Sequence, residues 1–129
     1  MPFAKHLDIM VVDDTSVSRA LIGAALEKIG IPSHRFAKDG EEALKALMAR
    51  PAHLVLSDYN MPKLDGLGLL KALREFTPTR QIGFILITGR GEKSVIDQGR
   101  KYGLNNIVPK PFTDLTVKAA IEAVVGKIV

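Results

Sequence analysis

Five side chains in this sequence combine into one chemistry: the adjacent acids Asp13 and Asp14, the acid Asp58, the hydroxyl of Thr88 and the amine of Lys110. Three carboxylates held close together repel one another and raise each other's pKa values. A hard divalent cation removes that cost. Mg2+ takes oxygen ligands in an octahedron at about 2.0–2.1 Å and keeps several waters. Lys110 is a second counter-charge, able to pair with one carboxylate. Thr88 can donate a hydrogen bond to an incoming anionic oxygen. A carboxylate, a metal, a cation and a hydroxyl donor together suit transfer of a phosphoryl group onto the carboxylate itself. Asp58 is the best nucleophile, being central and single, and Gly89 leaves space beside it.

These residues act together only if the chain brings them to one place, and the hydrophobic pattern says how. Leu7–Val12 is apolar apart from Asp8 and reads as a strand buried on both faces, ending in Asp13-Asp14. Leu54-Val55-Leu56 is a second such run that delivers Asp58 to a loop broken by Pro62, Asp65 and Gly66. Ile82–Thr88 is the most apolar strand, and Asn106-Ile107-Val108 is a short one before Pro109-Lys110-Pro111-Phe112. Ser33–Ala37 is a weak strand of mixed polarity.

Helices are expected between them. The first is Val17–Ile29, capped by Thr15-Ser16, with Val17, Ala20, Leu21, Ala24, Ala25 and Ile29 inward. Glu41–Arg50 turns Ala43, Leu44, Leu47 and Met48 inward, and Leu67–Phe76 turns Leu67, Leu69, Leu70 and Leu73. Glu92–Tyr102 is a poor helix, carrying little beyond Val95, Ile96 and Tyr102 and interrupted by Gly99. Thr113–Ile128 closes the chain on Leu115, Ala119, Ile121, Val124 and Val125.

Strand and helix therefore alternate five times with short connections, without linker or repeat. That argues for an α/β fold, a doubly wound five-stranded parallel sheet with helices on both faces. The apolar strands belong in the middle, the weak second strand at one edge, and the fifth at the other, because Pro109 cannot donate to a ladder. The order is then 2-1-3-4-5, flavodoxin-like. In such sheets ligands bind at the carboxyl ends of the central strands, where the acids, Thr88 and Lys110 all fall.

Composition bounds the reading. The 129 residues make one domain, 1–129, with 47% hydrophobic and 25% charged residues, ordinary for a globular protein. No apolar run approaches the roughly 18 residues of a membrane span. The N-terminus has no signal-peptide core, and zero cysteines exclude disulfides, thiolate metal sites and a cysteine nucleophile. A cytoplasmic protein fits both. Lys and Arg number 18 against 14 acids, net +4. Scattered solvated charge or an acidic protein partner accounts for this better than nucleic acid, because the longest cationic cluster is Arg100-Lys101 and no aromatics interleave with it. His6, His34 and His53 lack ligand spacing.

The motifs taken together resemble the receiver domain of two-component response regulators, and within it the stand-alone chemotaxis regulators of the CheY type. They are Val11-Val12-Asp13-Asp14, Ser57-Asp58-Tyr59-Asn60-Met61-Pro62 with Asp65-Gly66-Leu67, Ile87-Thr88-Gly89 and Lys110-Pro111-Phe112. The resemblance covers essentially the whole chain. Those regulators are themselves a standard instance of the 2-1-3-4-5 order, which is not independent support. The resemblance implies that Asp58 is the phosphoacceptor, taking its phosphoryl group from a phosphohistidine on a sensor histidine kinase. It implies that Asp14 ligates Mg2+ directly, Asp13 mainly through water, and Asn60 through its backbone carbonyl. Lys110 would contact the phosphoryl oxygen, Thr88 would move to hydrogen-bond it, and the Lys110–Pro111 bond would be cis.

The phosphorylated state would then shift the surface of the fourth helix, fifth strand and fifth helix. With the chain ending in the fifth helix, no output domain is expected. Output would be binding of a protein such as the flagellar motor switch, by a monomer. Tyr59, Asn60 and Arg90 line the mouth of the site and would tune the phosphoryl lifetime. The sequence departs from the family at Ile107, where most members carry an aromatic residue that swings inward on activation. That substitution favours a second outcome, a phosphate sink that drains the kinase.

Two rivals belong to other classes. An aspartyl-phosphate hydrolase of the haloacid-dehalogenase kind would place a second Asp two residues after a strand-one nucleophile, where this chain has Thr15. A flavin-binding module would need a phosphate-cradling loop after strand one, and the rim is acidic instead.

Overall fold

A computed structural model describes residues 6–31, 34–89 and 93–126. Five strands form one parallel sheet: β1 (Ile9–Val12), β2 (Arg35–Ala37), β3 (Leu54–Asp58), β4 (Gly83–Thr88) and β5 (Asn106–Pro109). The order is β2-β1-β3-β4-β5, every neighbouring pair being parallel. The helices are α1 (Ser16–Lys28), α2 (Gly40–Ala49), α3 (Gly66–Glu75), α4 (Lys93–Lys101) and α5 (Asp114–Val125). A 3-10 turn, Thr77–Thr79, follows α3.

The doubly wound arrangement follows from the strands' two apolar faces. Ile9, Val11, Leu54, Leu56, Ile85, Ile87 and Val108 point to one side and pack with Ile22, Ala25, Leu26, Val117, Ala120 and Ile121 of α1 and α5. Their alternates Met10, Val12, Val55, Phe84 and Leu86 point to the other and pack with α2, α3 and Val95 of α4. A strand apolar at every position needs cover on both sides, which is what the βα crossovers supply.

Helices α1, α2, α3 and α5 each start where a short polar side chain takes an unpaired backbone N–H. Thr15 accepts from Ser18 N, Asp39 from Glu42 N and Asp65 from Gly68 N. Thr113 and Thr116 form a reciprocal capping box on α5. Helix α1 stops at Gly30, whose φ of 92° lets Ile31 N–H turn back to the Leu26 carbonyl.

The inward faces of three helices differ from the sequence expectation. On α1 the buried stripe is Ile22, Gly23, Ala25 and Leu26, while Val17 is 70% and Leu21 58% exposed, and Ala20 and Ala24 also face out. On α5 Leu115 is 77% exposed and Ala119 is exposed; Val117 and Ala120 are buried instead, and Ile121 is buried as expected. On α2 Met48 faces solvent. Each helix carries two overlapping apolar stripes, and contact with the sheet selects one. The leucines of α3 are buried as expected. In α4 Gly99 is a contact rather than a defect: a β-carbon there would come within 2.9 Å of Leu104.

Candidate functional site at the carboxyl rim

The strand register gathers the site. Val12 pairs with Ser57, so Asp13 leaves β1 beside Asp58 at the end of β3. Asp58 pairs with Ile87, which sets Thr88 one residue beyond. Thr88 pairs with Pro109, and the Lys110 N–H donates to the Thr88 carbonyl at 3.0 Å. Four strand ends thus converge without any loop having to reach far.

At the centre Lys110 Nζ lies 3.5 Å from Asp58 Oδ1 and 3.7 Å from Asp13 Oδ2. Asp58 Oδ1 also accepts the Tyr59 N–H at 2.8 Å. Asp13 is 1% exposed. Its Oδ1 accepts the Thr15 N–H at 3.0 Å, but its buried Oδ2 has no hydrogen-bond donor. Burying a carboxylate oxygen on the strength of a 3.7 Å ion pair alone is costly. Burial pushes the Asp58 carboxyl above its usual pKa; Lys110 opposes this, Asp13 reinforces it, and the Tyr59 N–H opposes it further.

Asp14, exposed at the lip, completes a carboxylate triad. One oxygen each of Asp13, Asp14 and Asp58 lie within 4.8 Å of one another. All the donors are hard oxygens, the set that suits Mg2+ rather than a thiophilic metal. The underserved Asp13 Oδ2 is where added positive charge would relieve the greatest cost. The residues present fit a hard divalent cation.

The structure brings Asp13, Asp14, Asp58, Thr88 and Lys110 together, as expected. Thr88 is buried at the end of β4. Gly89 beside it borders open space: a β-carbon there would lie 3.9 Å from its nearest neighbour, Lys110 Cβ. Tyr59 is partly buried and Asn60 exposed after the strand. The Lys110–Pro111 bond is cis. Ile107 pairs with Leu86 and packs, partly buried, against the α3 and α4 side of the core. Tyr102 does not stand in for the family aromatic, since Lys71 Nζ sits 5.9 Å from its ring centre on the α3 side. Arg90 lies outside the described residues.

The sequence reading missed Arg19. Its Nη1 donates to the Asp13 carbonyl at 2.7 Å and so steadies the acidic turn from α1. A lone arginine on a helix gives no sequence signal of that kind.

The family model for the response regulator receiver domain matches residues 9–122. The chain belongs to that family. It is 41% identical to a probable chemotaxis protein CheY of Rhizobium etli, over 98% of both chains. Among solved structures this receiver resembles CheY of Borrelia burgdorferi, seen in a complex with CheX, BeF3 and magnesium. There the TM-score is 0.86 at 24% identity, covering 94% of this chain and 90% of that one. It also resembles the receiver domain of a Pseudomonas aeruginosa sensor histidine kinase, solved with magnesium in its active-site cleft. That match has a TM-score of 0.84 at 22% identity over 94% and 98% of the two chains. At those identities the two structures speak for the fold.

Proposed function

We propose that this receiver is a chemotaxis-type response regulator that takes a phosphoryl group from a histidine kinase onto Asp58. The observation that carries the reading is the Asp13–Lys110–Asp58 arrangement at the meeting of β1, β3 and β5, with Asp14 at its lip. A carboxylate oxygen of Asp58 attacks phosphorus. The bond from phosphorus to the donor's imidazole nitrogen breaks, and its electron pair stays on the imidazole, which takes up a proton from solvent. Lys110 follows the developing negative charge, since its ammonium already bridges Asp58 and Asp13. Thr88, at the end of β4, is within the same rim to donate to a phosphoryl oxygen. Asp13, Asp14, Asp58 and the Asn60 carbonyl would hold Mg2+, which supplies charge neutralisation for the phosphoryl oxygens when bound.

The output is a shift of the α4–β5–α5 surface. Helix α4 buries only Val95 and Gly99 among its described residues, against five on α3, so it is the weakly held element. The partner is a protein such as the flagellar motor switch, met in the cytoplasm. Among the described residues no helix is long and apolar enough to cross a membrane. A second reading, a phosphate sink, is favoured by Ile107, which packs inward without a ring to rotate. Membership among receiver domains counts against the hydrolase and flavin readings.

The deciding experiment is phosphorylation by a small phosphodonor, read by intact mass. Wild type should gain one phosphoryl group only with Mg2+, and Asp58→Asn should gain none. No gain in wild type would overturn the reading and favour a binding module that works without phosphorylation.

A further inference from the structure

The loop from Tyr59 to Asp65 carries the Asn60 carbonyl, yet few bonds of its own fix its shape. Among the described residues its backbone bonds are Leu64 N–H to the Pro62 carbonyl and Gly66 N–H to the Tyr59 carbonyl, both 2.8 Å, besides the first-turn bond from Leu69 N–H of α3 to the Asp65 carbonyl at 2.9 Å. Lys63 adopts a φ of 70°, a left-handed conformation unfavourable for a residue with a β-carbon. Contacts from outside the loop must hold it there.

The N-terminus of α2 provides them. Gly40, the first residue of that helix, lies flat against Leu64. A β-carbon on Gly40 would overlap the Leu64 carbonyl oxygen and come 2.8 Å from Leu64 Cβ. Its neighbour Asp39 is 5% exposed. Asp39 Oδ1 accepts the Glu42 N–H at 2.8 Å, and Oδ2 faces Lys63 Nζ at 3.9 Å. Where the loop runs into α3, Gly66 sits so near the Asp58 carbonyl oxygen that a β-carbon there would overlap it too. Gly40 of α2 thus presses on the loop at Leu64, and Gly66 of α3 closes its base against the end of β3.

We infer that Asp39 and Gly40 are positioning residues for the cation site, setting the height of the loop and with it the place of the Asn60 carbonyl. This rests on the receiver reading. A side-chain ligand can answer a small displacement by turning about its own bonds, but a backbone carbonyl moves only with its loop. The atom that a β-carbon on Gly40 would strike is backbone oxygen, so the loop itself must give way. Mg2+ is the ion least tolerant of such a shift, because it demands near-ideal octahedral geometry. Neither Asp39 nor Gly40 is one of the three carboxylates grouped at the site, and Gly40, which has no charge, can reach it only through the loop.

The test is Mg2+ binding by titration calorimetry, alongside thermal melting, on wild type, Gly40→Ala, Asp39→Asn and a control. The control is Ala25→Gly, buried in α1 on the opposite face of the sheet, which destabilises the fold without touching the loop. Gly40→Ala should weaken Mg2+ binding about tenfold, the scale seen when groups that support metal ligands are lost. Asp39→Asn, which keeps the helix cap and loses only the charge facing Lys63, should weaken it by less than Gly40→Ala does. Ala25→Gly should melt earlier yet bind as wild type. If wild type binds Mg2+ and both loop variants bind equally well, the inference falls while the receiver reading stands. An equal loss in Ala25→Gly would also overturn it, by tracing the effect to stability. Failure of wild type to bind Mg2+ would overturn the Mg2+-dependent phosphotransfer reading and this inference with it.

Discussion

At Asp58 the requirements of chemistry and of stability oppose each other. A nucleophilic carboxylate must be ionised, but burial disfavours the ionised form, and Asp13 beside it adds repulsion that Lys110 and the Tyr59 N–H only partly offset. A carboxyl whose native pKa lies above its unfolded value of about 3.8 holds its proton more tightly in the native state. The contribution of Asp58 to stability therefore falls as pH rises from that value through the native pKa. Asp58→Asn removes the charge and keeps the shape. Without divalent cation at pH 7 it should melt a few degrees above wild type, the scale of about 1 kcal/mol in a domain of this size. The gap should close on acidification toward pH 4. Melting curves at several pH values check this, and an Asn variant melting below wild type at pH 7 would contradict the raised pKa.

Among the elements, α1 carries the clearest lesson. Two apolar stripes run along it, one through Val17, Ala20, Leu21 and Ala24, the other through Ile22, Ala25, Leu26 and Ile29. The sheet takes the second. Leu26→Ala should cost about 2–5 kcal/mol, as large-to-small changes in a packed core do. Leu21→Ala, on the exposed side, should stay within about 0.5 kcal/mol. Urea unfolding of the pair measures the difference, and comparable losses would mean that the helix is rotated from the position described. In α3 the stripe is legible from sequence because Leu67, Leu69, Leu70 and Leu73 outweigh every alternative. In α1 and α5 the candidates differ by alanines and single aliphatics, and the pattern cannot choose between them.

The molecule as a whole is tied across its α3, β4 and β5 side by Arg74. Its guanidinium, half-buried with its pKa lowered by burial, faces carbonyl and amide oxygens. It donates to the carbonyls of Arg80, Ile82 and Gly103 and to Asn105 Oδ1, at 2.7–3.1 Å. Asn105 Oδ1 in turn accepts the Phe84 N–H at 2.8 Å. One side chain thus joins the end of α3, the entry to β4 and the turn between α4 and β5, at the far end of the sheet from Asp58. Arg74→Met should destabilise the fold by roughly 2–4 kcal/mol, because several part-buried acceptors lose their donor together. Lysine should not restore it, since one ammonium cannot span a planar fork's acceptors. Denaturant melts of both variants check this, and wild-type stability in Arg74→Met would mean that water satisfies those carbonyls equally well.

By itself the sequence determined the strands, their order and the residues that meet at the rim. The reasons are local: a run apolar at every position must be covered on both faces, and a strand's last residue must emerge at the carboxyl edge. Asp13, Asp58, Thr88 and Lys110 were legible because each comes within two residues of the end of an apolar run. Tertiary structure decided what depends on distant contacts. It chose the buried stripes of α1 and α5, set Gly40 against Leu64 and Gly66 against the Asp58 carbonyl, and brought Arg19 and Arg74 to carbonyls they share no pattern with. A sequence records which side chains are apolar, but the close approach of two backbones is fixed only when the helices settle on the sheet.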